Sequence, residues 1–323
     1  MNFPRPLSHK SRLILAPLCA ATLVAAAFAF TPTPDLAPAS RGNHSFPTVA
    51  GASTLPAPKP TSHAASAPAD SYEAYIDSAD NYSRKERWAD AARCYRHALR
   101  LNPASPLNSK LFANLGVCHT RLGEYDNALD NFEIALIKEP RSASILTSRA
   151  ATYILMADDS AALADLNLAI EIDSLSPTPR RMRGQILLMR ADYPHAEVDF
   201  HTLSDLDPTD PWGPAGMGET ALADSRYSEA IQHFTRAIEI ADNPDFRISL
   251  ISAMLDSNRL ADAETSIIEA LKLYPHTGEF YLLRAMLHKT LHQNSAAEID
   301  CQLARQYGID PQTIAKYLAT PSK

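Results

Sequence analysis

One pattern of small, aromatic and apolar residues returns along this chain about every 34 residues, and it constrains the fold more than any other feature. It is clearest in "NLGVCHTRLGEYDNALDNFEIALIKEP", Asn114 to Pro140, where Gly116, Tyr125, Ala128, Phe132, Ala135 and Pro140 punctuate two amphipathic segments. Gly123-Glu124 marks the turn between them. Ala128, Phe132, Ala135 and Leu136 recur at i, i+4, i+7 and i+8, which places them on one helical face. Small residues on facing helices let two backbones approach closely, and Pro140 stops the second helix. One such hairpin cannot bury its apolar face alone.

The pattern does return. Upstream, Ala79, Trp88, Ala91, Tyr95, Ala98, Leu99 and Pro103 fill the same slots. Downstream come Ala150, Tyr153, Ala162, Leu166 and Ala169, then Gly184, Tyr193, Ala196, Phe200 and Pro208. Gly218, Tyr227, Ala230, Phe234 and Ala237 follow, then Leu260, Ala263, Ile267, Ala270 and Pro275, and last Ala285, Ala297, Cys301 and Ala304. Copies start near residues 72, 109, 143, 177, 211, 244 and 278, with a three-residue insertion before the second and a one-residue slip before the sixth.

Seven phased copies resemble the tetratricopeptide repeat, a helix–turn–helix unit. The resemblance implies an all-α fold: a right-handed α-solenoid of about seven repeats over residues 71–311, each hairpin burying its apolar face on its neighbours. Residues 310–323 read as a capping helix and tail. Gly308 ends a helix, Asp310 suits an N-cap, Pro311 suits the first helical position, and Ile314 and Leu318 would cover the last repeat.

The resemblance also assigns partner binding to the first helix of each repeat. Carried over slot by slot, it gives a concave groove that includes Val117, Thr120, Ile154, Arg181, Gln185, Leu188, Glu219, Leu222, Ile248, Leu255, Met286 and Lys289. Ile154, Leu188, Leu222 and Leu255 make its middle apolar with polar edges, which suits a partner helix or extended segment with apolar anchors. The other reading of these residues is packing against adjacent helices. The family's dicarboxylate clamp is matched only at Asn114, so capture of a chaperone tail is not expected.

Two departures stand out. Arg149, Arg183 and Arg284 hold a slot usually filled by a large apolar residue. Their stems can pack while the guanidinium reaches water or a carboxylate, or they form a basic strip for an acidic ligand. "DPTDPWGPAGMG" (Asp207–Gly218) carries three Pro and three Gly and predicts a bend or hinge, with Trp212 either its anchor or an exposed hot spot.

The N-terminal part differs in kind. Arg5, Lys10 and Arg12 precede Leu13–Phe30, 18 residues without a charge, which reads as a signal peptide or an N-terminal membrane anchor over residues 1–30. Either reading exports the rest of the chain to a periplasmic, extracytoplasmic or secreted location, with membrane contact only through residues 13–30 if these are uncleaved. Residues 31–70 are rich in Pro, Ala, Ser and Thr and read as a disordered linker. Residues 1–70 hold five Lys/Arg against two Asp, which leaves −10 on the remainder of a chain with total charge −7. That balance argues against a nucleic-acid partner.

Chemistry is sparse. His288 and His292 are spaced as a metal pair on a helix, but the Glu of the zincin motif and a third ligand are missing. "GMGET" lacks the strand and Lys of a phosphate loop. Cys94, Cys118 and Cys301 form no disulfide framework, although a Cys94–Cys118 bridge between adjacent helices is an open alternative. No cofactor, metal or catalytic residue is expected. The function read from the sequence is a non-catalytic protein-interaction scaffold. The alternative is a cell-envelope accessory factor that binds a carbohydrate or cell-wall polymer.

Overall fold

The computed structural model describes residues 70–318, and all regular structure among them is α-helical. The first three hairpins pair α1 (Tyr72–Arg84) with α2 (Trp88–Leu101), α3 (Asn108–Arg121) with α4 (Tyr125–Lys138), and α5 (Ala143–Leu155) with α6 (Asp159–Ile172). The next two pair α7 (Pro177–Met189) with α8 (Tyr193–Leu206) and α9 (Trp212–Ala223) with α10 (Tyr227–Ile240). Then come α11 (Pro244–Asp256) with α12 (Leu260–Leu273), α13 (Gly278–Thr290) with α14 (Asn294–Gln306), and the short α15 (Pro311–Leu318). The all-α repeat fold expected from the sequence is the one that forms. The leader and linker of residues 1–69 lie outside the described residues, and no described helix is long and apolar enough to cross a membrane.

Every hairpin turns in the same way. Glu86, Gly123, Ala157, Ala191, Ser225, Asn258 and His292 occupy the same slot in their copies, and all have φ between 56° and 76°. The residue after each donates back to the end of the first helix: Arg87 N–H to the Tyr82 carbonyl at 2.9 Å, Glu124 to His119 at 2.9 Å, Gln293 to His288 at 2.8 Å. This is the Schellman arrangement, which satisfies carbonyls that the helix end leaves open. Only Gly123 adopts the left-handed conformation freely, and a residue with a Cβ adopts it at a cost of about 1–2 kcal/mol. Packing of the paired helices overrides that preference six times.

Inside a hairpin, the first helix offers a small residue and the second fills the space. A Cβ on Gly116, Gly184 or Gly218 would stand 2.9, 2.9 or 2.8 Å from the rings of Phe132, Phe200 and Phe234, so those rings lie directly on backbone. Each ring is essentially fully buried, which contributes about 2–3 kcal/mol apiece. Where the first helix has Ala150 or Ala285, the second carries the smaller Leu166 or Cys301.

Asp207–Gly218 differs from the expected loose joint. Its three Gly all lie within α9, a regular helix of 12 residues. A Cβ on Gly213 would meet Ser204 Oγ at 2.3 Å, and one on Gly216 would meet the Phe200 ring at 2.2 Å. These glycines seat α9 tightly on α8 rather than loosening it.

The chain instead divides into two compact units after Asp173. In the N-terminal unit, one cluster gathers Ala79, Tyr95, Leu111 and Cys118, and another gathers Ala113, Phe132 and Ile145. The C-terminal unit has its largest cluster around Phe234, Ile251, Ile267 and Phe280. Its end is closed by α15, whose Ile314 and Tyr317 are buried with Leu282, Ala285 and Ile309, with Leu318 packed alongside. Asp310 caps α15 by accepting from the backbone N–H groups of Gln312 and Thr313 at 2.8 and 2.9 Å.

Candidate functional site

In the C-terminal unit α7, α9, α11 and α13 pack in succession, and α15 takes the next place against α13. The face of this row carries Arg181, Gln185, Leu188, Glu219, Leu222, Met286 and Lys289, all half-buried. Ile248 and Leu255 lie deeper, 5% and 7% exposed, within the Phe234 cluster. In the N-terminal unit, where α3 and α5 are neighbours, Val117, Thr120 and Ile154 are half-buried.

Several of these side chains reach across to the next first helix. Thr120 and Thr152 hydroxyls meet at 2.8 Å. The Ser249 hydroxyl donates to Glu219 Oε1 at 2.6 Å. The Glu219 side chain keeps some surface while its carboxyl sits enclosed, and burial pushes that group up to about 7 against the lowering pull of Ser249. Lys289 Nζ donates to the Leu318 carbonyl at the end of α15.

Trp212 anchors rather than projects. It meets Phe246 edge-on at 5.3 Å between centroids, and the Arg181 guanidinium lies 5.6 Å from its ring. Burial lowers the affinity of Arg181 for its proton, and its Nε is buried with no hydrogen-bond partner among the described residues.

The three arginines in the apolar slot share one arrangement, in which the guanidinium reaches a carboxylate, one of the readings the sequence offered; the partners were not named. Arg149 donates twice to Asp165, at 2.7 and 2.7 Å; Arg183 donates to Asp199 at 2.8 and 2.7 Å; Arg284 donates to Asp300 at 2.9 and 2.6 Å. Each partner lies 16 residues on, in the second helix of the same hairpin. The strip for an acidic ligand does not form, because these guanidinium groups already hold buried carboxylates. The regular Arg–Asp spacing, present three times, was the available signal.

The remaining sequence candidates fall into structural positions. His292 lies in the left-handed turn after α13, so it does not share a helical turn with His288, whose Nε2 lies 3.5 Å from Asp300. "GMGET" is helical throughout. Cys94, Cys118 and Cys301 are free thiols, and burial pushes that of Cys118 up to about 12. Among the described residues no group of His, Cys, Asp and Glu is placed to hold a metal ion.

Models of the tetratricopeptide repeat match residues 76–143 and 221–287, and neither model is of a catalytic domain. Such repeats in general mediate protein–protein contacts. A TPR repeat-containing thioredoxin from Arabidopsis thaliana is 29% identical over 85 residues, which is 26% of this chain and 22% of that protein. A FAM10 family protein from the same plant is 32% identical over 85 residues, 26% of this chain and 19% of that protein. The match thus spans about a fifth of the length of these curated relatives. Among solved structures, a tetratricopeptide repeat protein from Parabacteroides merdae superposes with a TM-score of 0.62 at 23% identity, over 76% of this chain and 97% of the other. Pseudomonas aeruginosa pilF gives 0.55 at 20% identity, over 66% and 96%. At these identities the likeness is one of fold.

Proposed function

We propose that this chain is a non-catalytic scaffold that captures a segment of a partner protein along the exposed face of its first helices. The observation that carries this reading is the row on α7, α9, α11 and α13. There Arg181, Gln185, Leu188, Glu219, Leu222 and Met286 stay half-buried beside a fully packed core. Leu188 and Leu222 supply apolar contact, while Gln185 and Arg181 supply polar direction, which suits a segment with apolar anchors. The helices are ordered before binding, so the scaffold itself loses little conformational entropy. A carbohydrate ligand would need open ring faces, and Trp212 is engaged by Phe246 and Arg181.

We also place the folded part outside the cytoplasm. The support is the charge-free run Leu13–Phe30 behind Arg5, Lys10 and Arg12.

The test compares tagged full-length protein with a Leu188→Glu/Leu222→Glu variant in the source organism, after equal helicity and melting are established. Proteins that co-purify with the wild type and are lost from the variant support the reading. Identical sets of partners overturn it.

A further inference from the structure

A second candidate site lies on the other side of α3. At 100° per residue, Leu115 and His119 lie about 100–160° around α3 from Val117 and Thr120, with Phe112 between the two faces, so the cleft they line is centred away from the face described above. They border an open cleft of about 470 Å³ between α2 and α4. Its floor is apolar: Leu99, Phe112 and Leu115. One wall is α2, where Arg96 and Arg100 stand one turn apart, both exposed and neither with an ion-pair partner among the described residues. The facing wall is the start of α4. There Glu124 is held by His119 Nδ1 at 2.5 Å and by Asn127 at 3.3 Å, whereas Asp130 has no hydrogen-bond partner among the described residues.

The bridge that ties three of the hairpins is absent at this cleft, as it is in four of the seven repeats. Leu115 and Asn131, both lining it, occupy the slots that hold Arg149–Asp165, Arg183–Asp199 and Arg284–Asp300 in the third, fourth and seventh repeats. Those repeats tie their two helices with a bidentate bridge. The second repeat has no such bridge, and an open space remains there. The loop that leads into α3 carries the three-residue insertion of the repeat pattern.

We propose that this cleft is a second docking site, for a segment of a partner protein that presents an apolar side chain between an acid and a base. The apolar side chain covers Leu99, Phe112 and Leu115. The acid pairs with Arg96 and Arg100, whose adjacent forks suit a carboxylate. The base lies beside Asp130. Walls of opposite sign and an apolar floor select this order of side chains, and a polyanion would meet repulsion from Asp130, Glu124 and the net charge of −10 on residues 71–323.

The probe is the fluorescein-labelled peptide Gly-Glu-Phe-Lys-Gly, titrated into full-length protein by anisotropy. Gly-Gln-Phe-Gln-Gly and Gly-Glu-Ser-Lys-Gly serve as controls. The expected result is a Kd below about 1 mM for the probe, with both controls at least about tenfold weaker. An Arg96→Gln/Arg100→Gln variant, which removes the attraction of Arg96 for Glu124 but no hydrogen bond, is compared once its melting is measured beside the wild type, and is expected to lose about tenfold or more in affinity for the probe. The Leu188→Glu/Leu222→Glu variant is expected to bind it unchanged, which separates this site from the first-helix face. Absence of binding at about 1 mM, indifference to peptide sequence, full retention by the Arg variant, or loss in the Leu variant would each overturn the proposal.

Discussion

The Arg149 guanidinium and the Asp165 carboxylate meet through two parallel hydrogen bonds of 2.7 Å and tie α5 to α6. Asp165 is 8% exposed on its side chain and Arg149 23%, so the carboxylate depends on its partner far more than the guanidinium does. The same slots hold Leu115 and Asn131 in the second repeat, where no bridge forms.

That internal precedent gives a first prediction. Arg149→Leu strands a buried carboxylate and should cost about 3 kcal/mol of stability. The double substitution Arg149→Leu/Asp165→Asn recreates the pair of the second repeat and should cost less than about 1 kcal/mol. Denaturant unfolding of the wild type, the single variant and the double variant measures both. A double variant as unstable as the single one would show that the bridge is not the source of the cost.

The turns give a second. Ala157 and Ala191 sit at φ of 59° and 58°, where a Cβ is strained. Ala157→Gly and Ala191→Gly each relieve that strain but add freedom to the unfolded chain, for a net gain of about 0.5–1 kcal/mol. Gly123→Ala, at φ 76°, should lose about 1 kcal/mol. Thermal melts of the three variants decide the sign at each position.

Close packing of α9 on α8 gives a third. Gly216→Ala places a methyl group where the Phe200 ring stands 2.2 Å away, and the ring is held by a filled core. The expected loss is about 3 kcal/mol, seen as a lowered unfolding midpoint. A neutral outcome would mean that α9 is free to move, as a hinge would be.

A fourth concerns pH. The Glu219 carboxyl is pushed up to about 7 in the folded protein by burial, while in the unfolded chain it titrates near 4.5. A raised carboxyl favours the folded state below the unfolded value and loses that contribution as pH rises through 7. Wild-type stability should therefore fall between about pH 4.5 and 8 relative to Glu219→Gln, by up to about 3 kcal/mol. Asp80 is raised by burial in the same direction and cancels between the two curves, whereas Asp245, whose charge also raises Glu219, is coupled to it, so the difference reports Glu219 together with its effect on Asp245.

What the sequence made legible, and what it did not, follows from the range of each interaction. The hairpins are visible because Gly116 and Phe132 sit 16 residues apart within one repeat, and the same spacing recurs. The Arg149–Asp165 bridge has that spacing too, but its arginine stands where the pattern leads one to expect an apolar residue, so a carboxylate is one expected partner without Asp165 being named. Gly213 and Gly216 read as loosening because their partners, Ser204 and Phe200, belong to another helix and act through distance in space. Ile248 and Leu255 are drawn into the core because nine residues of α11 are buried, more than one face of a helix supplies. The cleft beside Arg96 was not legible at all. It depends on what Leu115 and Asn131 leave unfilled between α2 and α4, and neither residue is unusual alone.

The central claim is that recognition occurs on the face of the first helices. The most direct measurement places a photo-crosslinking benzoylphenylalanine at Gln185 on α7 in one protein and at Val198 on α8, 61% exposed, in another. Both are irradiated in the source organism. Adducts to the same partner from position 185, and none from position 198, are the predicted result. Adducts from position 198 with none from position 185 would contradict the account.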